Sequence, residues 1–274
     1  MKLIIIIKLF IFLIILFYYI NYEMCNNILN ILFYGLLFIL NKFFKISTST
    51  KIDNRTSLCI VENKKFYILN NDFIVSGYLS VGVPWEKFMQ KYFIKYRDMN
   101  MNALDIGANI GAHTVYLAEN FKKVYAFEPQ IEVYKLLNKN IKLNNINNVI
   151  TYNYGLGNEE TKVNMREFNV DEQENIGAIN IEKGGTGEEI MVKTLDSYNF
   201  INIKFIKMDV EGYEYFVLLG GKNTFLQSKP VIIIELNHCG AEYRQDVNNF
   251  FKDINYKLKR ISHDDYLAEP NECH

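Results

Sequence analysis

The sequence predicts a Rossmann-like α/β fold: a mostly parallel seven-stranded sheet with helices on both faces, preceded by an N-terminal membrane-spanning helix or hairpin. Three observations predict it. The first is Asp105-Ile106-Gly107-Ala108-Asn109-Ile110-Gly111, a glycine turn that follows a short apolar run and opens a helical pattern. The second is Glu128-Pro129, an acid at the end of the next apolar run, Val124 to Phe127. A strand, a glycine turn, a helix and a second strand ending in an acid form the nucleotide-binding half of such a sheet. The third is the apolar N-terminus, which shares no pattern with the rest of the chain.

Leu3 to Ile20 is apolar except for Lys8 and is 18 residues long, the minimum for a spanning helix. It lacks a small-residue cleavage site, which favours a signal anchor over a removed signal peptide. Ile28 to Phe44, 17 residues, contains Asn30, Gly35, Asn41 and Lys42 and reads equally as a second span or as a buried amphipathic helix. Lys2, Lys42, Lys45 and Lys51 flank the outer ends, whereas the link Asn21–Asn27 has Glu23 and no Lys or Arg. The positive-inside tendency then favours a hairpin with both ends cytoplasmic. A single span would carry the following domain to the far side, where Asn54-Arg55-Thr56 is a candidate glycosylation acceptor. Residues 1–46 are thus assigned to a membrane anchor, 47–70 to a linker and 71–274 to one α/β domain, a size that suffices for a seven-stranded core.

Phe66 to Ser80 reads as a small sheet, with turns at Gly77 and Gly82–Pro84. From Met101 onward strands and helices alternate, which argues for a parallel sheet. Strands are expected near Asn102–Ile106, Lys123–Phe127, Val149–Asn153, Phe205–Asp209 and Val231–Leu236, and helices near Gly111–Phe121 and Ile131–Asn144. Val133, Leu136, Leu137 and Ile141 share one face of the second helix and read as core. The polar stretch Asn158 to Gly187 ends in Gly184-Gly185-Thr186-Gly187. It reads as a flexible loop, because no Lys-Ser/Thr pair opens a helix after it. Asn255 to Tyr266 is expected to close the sheet as an antiparallel pair.

Composition excludes some classes of partner. The 30 basic and 31 acidic residues nearly cancel and no basic stretch stands out, so nucleic acid is not an expected partner. Cys25, Cys59, Cys239 and Cys273 are scattered without a C-x-x-C, and the four histidines do not fall at ligand spacing. Neither a zinc site nor a disulfide framework is expected, and free thiols in a reducing compartment fit better.

The spacing of the glycine turn selects the ligand. Asn109 stands where the dinucleotide fingerprint has its middle glycine, and a pyrophosphate needs bare backbone there. S-adenosylmethionine has an ammonium, a carboxylate, a sulfonium and a ribose, and suits an acid before the turn and another on the second strand. Asp105, Gly107, Asn109, Gly111 and Glu128 are the candidate cofactor contacts, with Pro129 and Asn153 beside them at the strand tips. His113 begins the helix near the place of the methionine carboxylate and reads equally as a contact or as a structural histidine. A nicotinamide-dependent oxidoreductase is the rival enzyme, disfavoured by Asn109. A non-catalytic cofactor-binding scaffold at a membrane is the other alternative.

Taken together, Asp105 to Gly111, His113-Thr114, Phe127-Glu128-Pro129, Asn175-Ile176-Gly177, Leu195-Asp196-Ser197, Ile206 to Glu214 and Pro230 to Glu235 resemble the FkbM family of class I methyltransferases. Gly82 to Glu86 is similar to the segment that precedes the cofactor domain there, and the resemblance spans roughly Asn71 to His238. The family often has a His two residues after the Glu of the fifth strand. Here Asn237 holds that place and His238 follows, which leaves a role for His238 open. The resemblance implies methyl transfer to a sugar or other small-molecule hydroxyl. It places Asp209 at the strand tip facing the methyl group; because an alcohol acceptor must lose its proton, Asp209 is the first candidate for the general base, with Lys207 and Glu211 in support. Glu211 reads equally as a helix N-terminal acid, and Lys207 as a strand residue with a solvated head. Asp196 reads as a helix cap, and Glu235 as a lining residue of the acceptor pocket.

Overall fold

A computed structural model describes residues 49–165, 181–182, 187–236 and 240–271. The chain divides into Met1–Ser47 and a compact unit, Thr48–His274. The two expected membrane spans lie outside the described residues, as do His238, Asn175 to Gly177 and three of the four cysteines. Among the described residues no helix is long and apolar enough to cross a membrane.

The compact unit opens with a three-stranded antiparallel sheet, β1 (Thr50–Lys51), β2 (Thr56–Val61) and β3 (Lys64–Leu69). Helices α1 (Val75–Ser80) and α2 (Gln90–Lys95) follow. Next come β4 (Asn102–Ile106), α3 (Thr114–Leu117), β5 (Val124–Phe127), α4 (Ile131–Leu143) and β6 (Val149–Tyr152). A second small sheet holds β7 (Gly155–Leu156), β8 (Thr161–Met165), β9 (Ile181–Glu182) and β10 (Glu188–Lys193). Then follow β11 (Ile203–Met208), α5 (Glu214–Gly220), α6 (Lys222–Ser228), β12 (Val231–Glu235), α7 (Ala241–Asp253), β13 (Tyr256–Arg260) and β14 (Asp265–Pro270).

The main sheet has seven strands in the order β13-β14-β12-β11-β4-β5-β6. The pairs from β12 through β6 are parallel, and β14 runs antiparallel to both β12 and β13. Ala103, Leu104, Asp105 and Ile106 are all buried, as are four consecutive residues of Val231–Ile234. Such unbroken runs are what strands covered on both faces require. From β4 the chain goes to β5 and β6 on one side, and later fills the other side with β11 and β12. The order therefore reverses between β4 and β11, and a crevice opens there at the carboxyl ends.

The five expected parallel strands are present, and the C-terminal antiparallel pair extends to Pro270. Val133, Leu136, Leu137 and Ile141 are buried on α4 as their spacing predicts. The first helix is shorter than expected: only Thr114–Leu117 is α-helical, and turns continue it, from the Val115 N–H on the Gly111 carbonyl to the Phe121 N–H on the Leu117 carbonyl.

Three assignments are corrected. The supposed linker 47–70 contains the β2–β3 hairpin, whose Cys59, Val61, Phe66 and Ile68 belong to the core. The hairpin was hidden because its alternation is inverted: β2 buries Ser57 and Cys59 and exposes Ile60. Within Phe66–Ser80, only the first part is strand. Asp72 accepts hydrogen bonds from the Ile74 and Ser76 N–H groups and starts α1. In the described part of the polar segment Asn158–Gly187, β8 pairs with β9 and β10 and buries Val163 and Met165, while Gly184 to Thr186 lie outside the described residues.

One side chain ties the hairpin to the glycine turn. Asn140, fully buried on α4, accepts the Tyr67 N–H at 2.7 Å and donates to the carbonyls of Tyr67 and Ile110 at 3.0 and 2.8 Å. Asn140→Leu should leave these backbone groups orphaned and destabilise the domain by about 3 kcal/mol. Denaturant unfolding checks this, and a change under about 0.5 kcal/mol, the range of a neutral surface substitution, would remove Asn140 from that role.

Candidate functional site

The carboxyl ends of β4, β5, β11 and β12 converge on one cavity. Its lining includes Gly107, Ala108, Asn109, His113, Glu128, Pro129, Gln130, Lys207, Asp209, Glu211 and Glu235, with Trp85, Tyr154 and Tyr213 at its walls. Asp105, Gly111 and Asn153 do not line it.

The turn after β4 is built from left-handed backbone: φ is +79° at Gly107, +51° at Asn109 and +88° at Gly111. Asparagine is one of the few side chains that tolerates this region. A Cβ on Gly107 would lie 1.7 Å from the Asp209 carbonyl oxygen. The requirement for glycine there is thus the close crossing of the β11 tip, besides any ligand. Asn109 accepts its neighbour's N–H, from Ile110, at 2.6 Å and donates its own N–H to Glu128 Oε2 at 2.9 Å.

Glu128 is buried at the tip of β5 and stitches two segments together. Its other oxygen accepts the Gln130 N–H at 2.9 Å. Burial pushes its carboxyl up to about 7, against the two N–H groups, which favour the anion. Asn153 donates to the carbonyls of Glu128 and Pro129 at 2.9 and 2.8 Å, so it orients this strand tip from behind the cavity wall.

Beneath the turn lies a buried charge cluster. Lys207 is 4% exposed. Its Nζ donates to the Gly107 carbonyl at 3.0 Å and to Asp209 Oδ2 at 3.2 Å, and lies 4.0 Å from Asp105 Oδ1. The reading of Lys207 as a solvated strand residue is therefore corrected. Burial works against its charge, and the carboxylates of Asp209, Asp105 and Glu86 more than offset that, holding the ammonium above its usual range. Asp105 is fully buried under the cavity floor, where its Oδ2 accepts the Thr114 hydroxyl at 2.6 Å. Its partners are protein groups, Thr114 and Lys207.

Asp209 follows β11, and its N–H donates to the Ile106 carbonyl at 3.0 Å. Register places Met208 beside Ile234, so Asp209 and Glu235 are neighbours at adjacent strand tips, and Glu235 pairs in turn with Asp265 on β14. Burial alone would raise Asp209, but Lys207 and hydrogen bonds from Glu235 and Lys207 hold it below the usual carboxylate range. Burial and the Asp209 charge push Glu235 far up. The pair therefore shares one proton at neutral pH, with the charge on Asp209.

Three contributors escaped the sequence reading. Glu86 Oε2 lies 3.0 Å from His113 Nε2. Burial, then Lys207, lower His113 to about 4, while burial and Asp209 raise Glu86 to about 8, so both are uncharged at pH 7. Glu214 accepts the N–H groups of Val210 and Gly212, both at 3.1 Å, and fixes the loop that carries Glu211. Asp265 is raised to about 7 by burial and by Glu86. Glu86 and Glu214 stand inside the quoted motifs, which was their only signal. No motif marks Asp265. Among the described residues no cluster of three or more His, Cys, Asp or Glu is arranged to hold a metal.

A family profile described as "Methyltransferase FkbM domain" matches residues 105–260. "Methyltransferase 1" of Beauveria bassiana (strain ARSEF 2860) is 26% identical over 159 residues, 48% of this chain and 63% of that protein. The match thus spans less than two thirds of the fungal relative. Among solved structures, methyltransferase FkbM from Methylobacillus flagellatus KT aligns with a TM-score of 0.49 and 18% identity, over 72% of this chain and 53% of that one. A Streptococcus mutans protein solved in complex with SAH aligns with a TM-score of 0.42 and 16% identity, over 66% and 94%.

The buried acids predict a pH dependence of stability. Glu86, Glu128 and Asp265 ionise near 4 when unfolded but at about 8, 7 and 7 when folded, so the folded state holds more protons between those values. Stability contributed by such groups falls as pH rises. His113 acts oppositely, but only between about 4 and 6.5. The melting temperature of the ligand-free protein should therefore fall from pH 6.5 to pH 8, and less so in Glu86→Gln. A melting temperature that rises across this interval would contradict the assigned protonation states.

Proposed function

The chain belongs to the methyltransferase FkbM domain family, and from that premise we propose that this S-adenosylmethionine-dependent methyltransferase acts on oxygen, with a hydroxyl of a sugar or another small molecule as acceptor. One observation carries the reading. A single cavity joins Glu128, an acid on the second strand, to Asp209 and Glu235 at the tips of the strands across the switch point. The residues present fit the cofactor. Glu128 offers a carboxylate to ribose hydroxyls, the backbone of Gly107 to Asn109 borders the same cavity, and His113, Pro129 and Gln130 complete that side. Asp105, Gly111 and Asn153 act one step back, by shaping the turn and the β5 tip. When bound, the cofactor supplies an electrophilic methyl group on sulfonium.

The protein's own groups then orient the acceptor. Asp209 stays anionic and accepts the hydroxyl hydrogen bond. Its low basicity suits a proton that is released late, as the new bond to carbon makes the oxygen acidic. Lys207 positions Asp209 and the glycine turn at once. Glu235, neutral, spends its proton on Asp209 and keeps the pair at a single charge. Glu211 borders the cavity beyond them. Residues 1–46 anchor the enzyme in a membrane; the support is the apolar length of Leu3–Ile20 and the lysines that flank it.

Glu128→Ala should weaken binding of S-adenosylhomocysteine by about 2 kcal/mol, the scale of hydrogen bonds to a charged group. Calorimetry on a variant with native melting behaviour tests this, and unchanged affinity would take Glu128 out of the site. Asp209→Asn should keep that affinity within a few-fold and lower turnover by about two to four orders of magnitude. Radiolabelled methyl transfer to glycan and small-molecule fractions supplies the readout. Full turnover in Asp209→Asn would mean that no side chain need take the proton.

A further inference from the structure

At the end of the sheet opposite the cavity, three segments meet. Because β4, β5 and β11 are parallel, their amino ends lie along one edge. The segments before them are stitched together: the Lys122 N–H donates to the Met101 carbonyl, the Asp98 N–H to the Asn120 carbonyl, and Asn102 donates from its backbone to Asn202 and from its side chain to Ile201. Segments 91–101, 119–123 and 201–204 hold six Lys or Arg against two acids, in a chain of net charge −1. Lys91, Lys95, Arg97, Lys122 and Lys123 are exposed. Of the acids, Asp98 accepts the Asn100 N–H and Glu119 is paired with Lys64; Lys95 also lies 3.7 Å from Glu269.

Within this basic ring stand exposed apolar side chains. Ile94 is 66% exposed, Met99 48% and Ile201 56%. Isolated exposed apolar residues are ordinary; here they share one edge with the cations. That combination suits the boundary of an anionic bilayer, where apolar tips enter the headgroup region and lysines meet lipid charge.

We propose that the amino-terminal edge of the central sheet, with Ile94, Met99 and Ile201 ringed by Arg97, Lys122 and Lys123, rests on an anionic membrane surface. The inference extends the membrane anchor proposed above. It has a consequence for the substrate. β4 is five residues long, so the cavity at its other end stands about 17 Å from the docked edge. The acceptor is then taken from the water phase, not from within the bilayer.

The test uses the full chain on vesicles of phosphatidylcholine with or without phosphatidylglycerol. Acetylation rates at single lysines are read by mass spectrometry. Lys122 and Lys123 should react about fivefold more slowly on anionic vesicles, the scale for a lysine at such a surface. Lys135, near the opposite end of the sheet on α4, should react equally on both. Ile94→Glu/Ile201→Glu, which changes only exposed positions, should restore the rates. Equal rates on both vesicles would overturn the proposal, as would the same slow rates in detergent, which would mean that protein covers this edge. Alkaline carbonate washing separates the two readings. A chain that washes off yet is shielded on anionic vesicles keeps the docked edge and loses the anchor; a chain that stays but is unshielded does the reverse.

Discussion

The buried ammonium of Lys207 is the interaction on which the rest of the site depends. It stands between the two strands at the switch point and donates to the carbonyl of Gly107 on one and to the carboxylate of Asp209 on the other, with Asp105 close beneath. Removing a charge of this kind from water is costly, and only several well-placed partners offset it. Loss of the ammonium would leave the carboxylates of Asp209 and Asp105 without their counter-charge. The glycine turn and the β11 tip are therefore mutually determined: the turn can approach only because Gly107 lacks a side chain, and the ammonium holds it there.

Around this cation the cavity gathers more carboxyls than it can neutralise. The excess is handled by protonation. Glu235 shares its proton with Asp209, Glu86 faces a neutral His113, and Glu128 is pushed up by burial. Carboxyls whose environments drive their protonation apart are a common sign of a working site. Here the division keeps Asp209 anionic where it faces the cavity. A cationic sulfonium ligand would meet complementary charge at the moment it binds, and lose part of that attraction after giving up its methyl group.

The fold supports this arrangement from two sides. The N-terminal hairpin, through Tyr67, and the turn, through Ile110, both end on Asn140. On the other flank, Glu214 and the Tyr243 hydroxyl hold the loop after Asp209, with Tyr243 donating to the Gly212 carbonyl. The residues that line the cavity are thus braced by side chains that do not reach it.

By itself, the sequence determined the parallel strands, the α4 core face, the glycine turn and the acids at the strand tips, because unbroken apolar runs, helical spacing and positive-φ residues leave local marks. It also marked Asn109, whose left-handed backbone an asparagine tolerates. Tertiary structure alone decided the rest. The β2–β3 hairpin buries serine and cysteine and exposes isoleucine, so no alternation announced it. Asp196 was legible as a cap, but the N–H groups it accepts, from Asn223 and Thr224, belong to α6, some 27 residues on. Lys207 read equally as a support for Asp209 or as a solvated strand residue, and Asp105 as a ligand contact; packing encloses both and sets Asp105 against Thr114 and Lys207. Whether a charged side chain faces water, a ligand or another charge depends on which strands become neighbours, and a one-dimensional pattern does not carry that information.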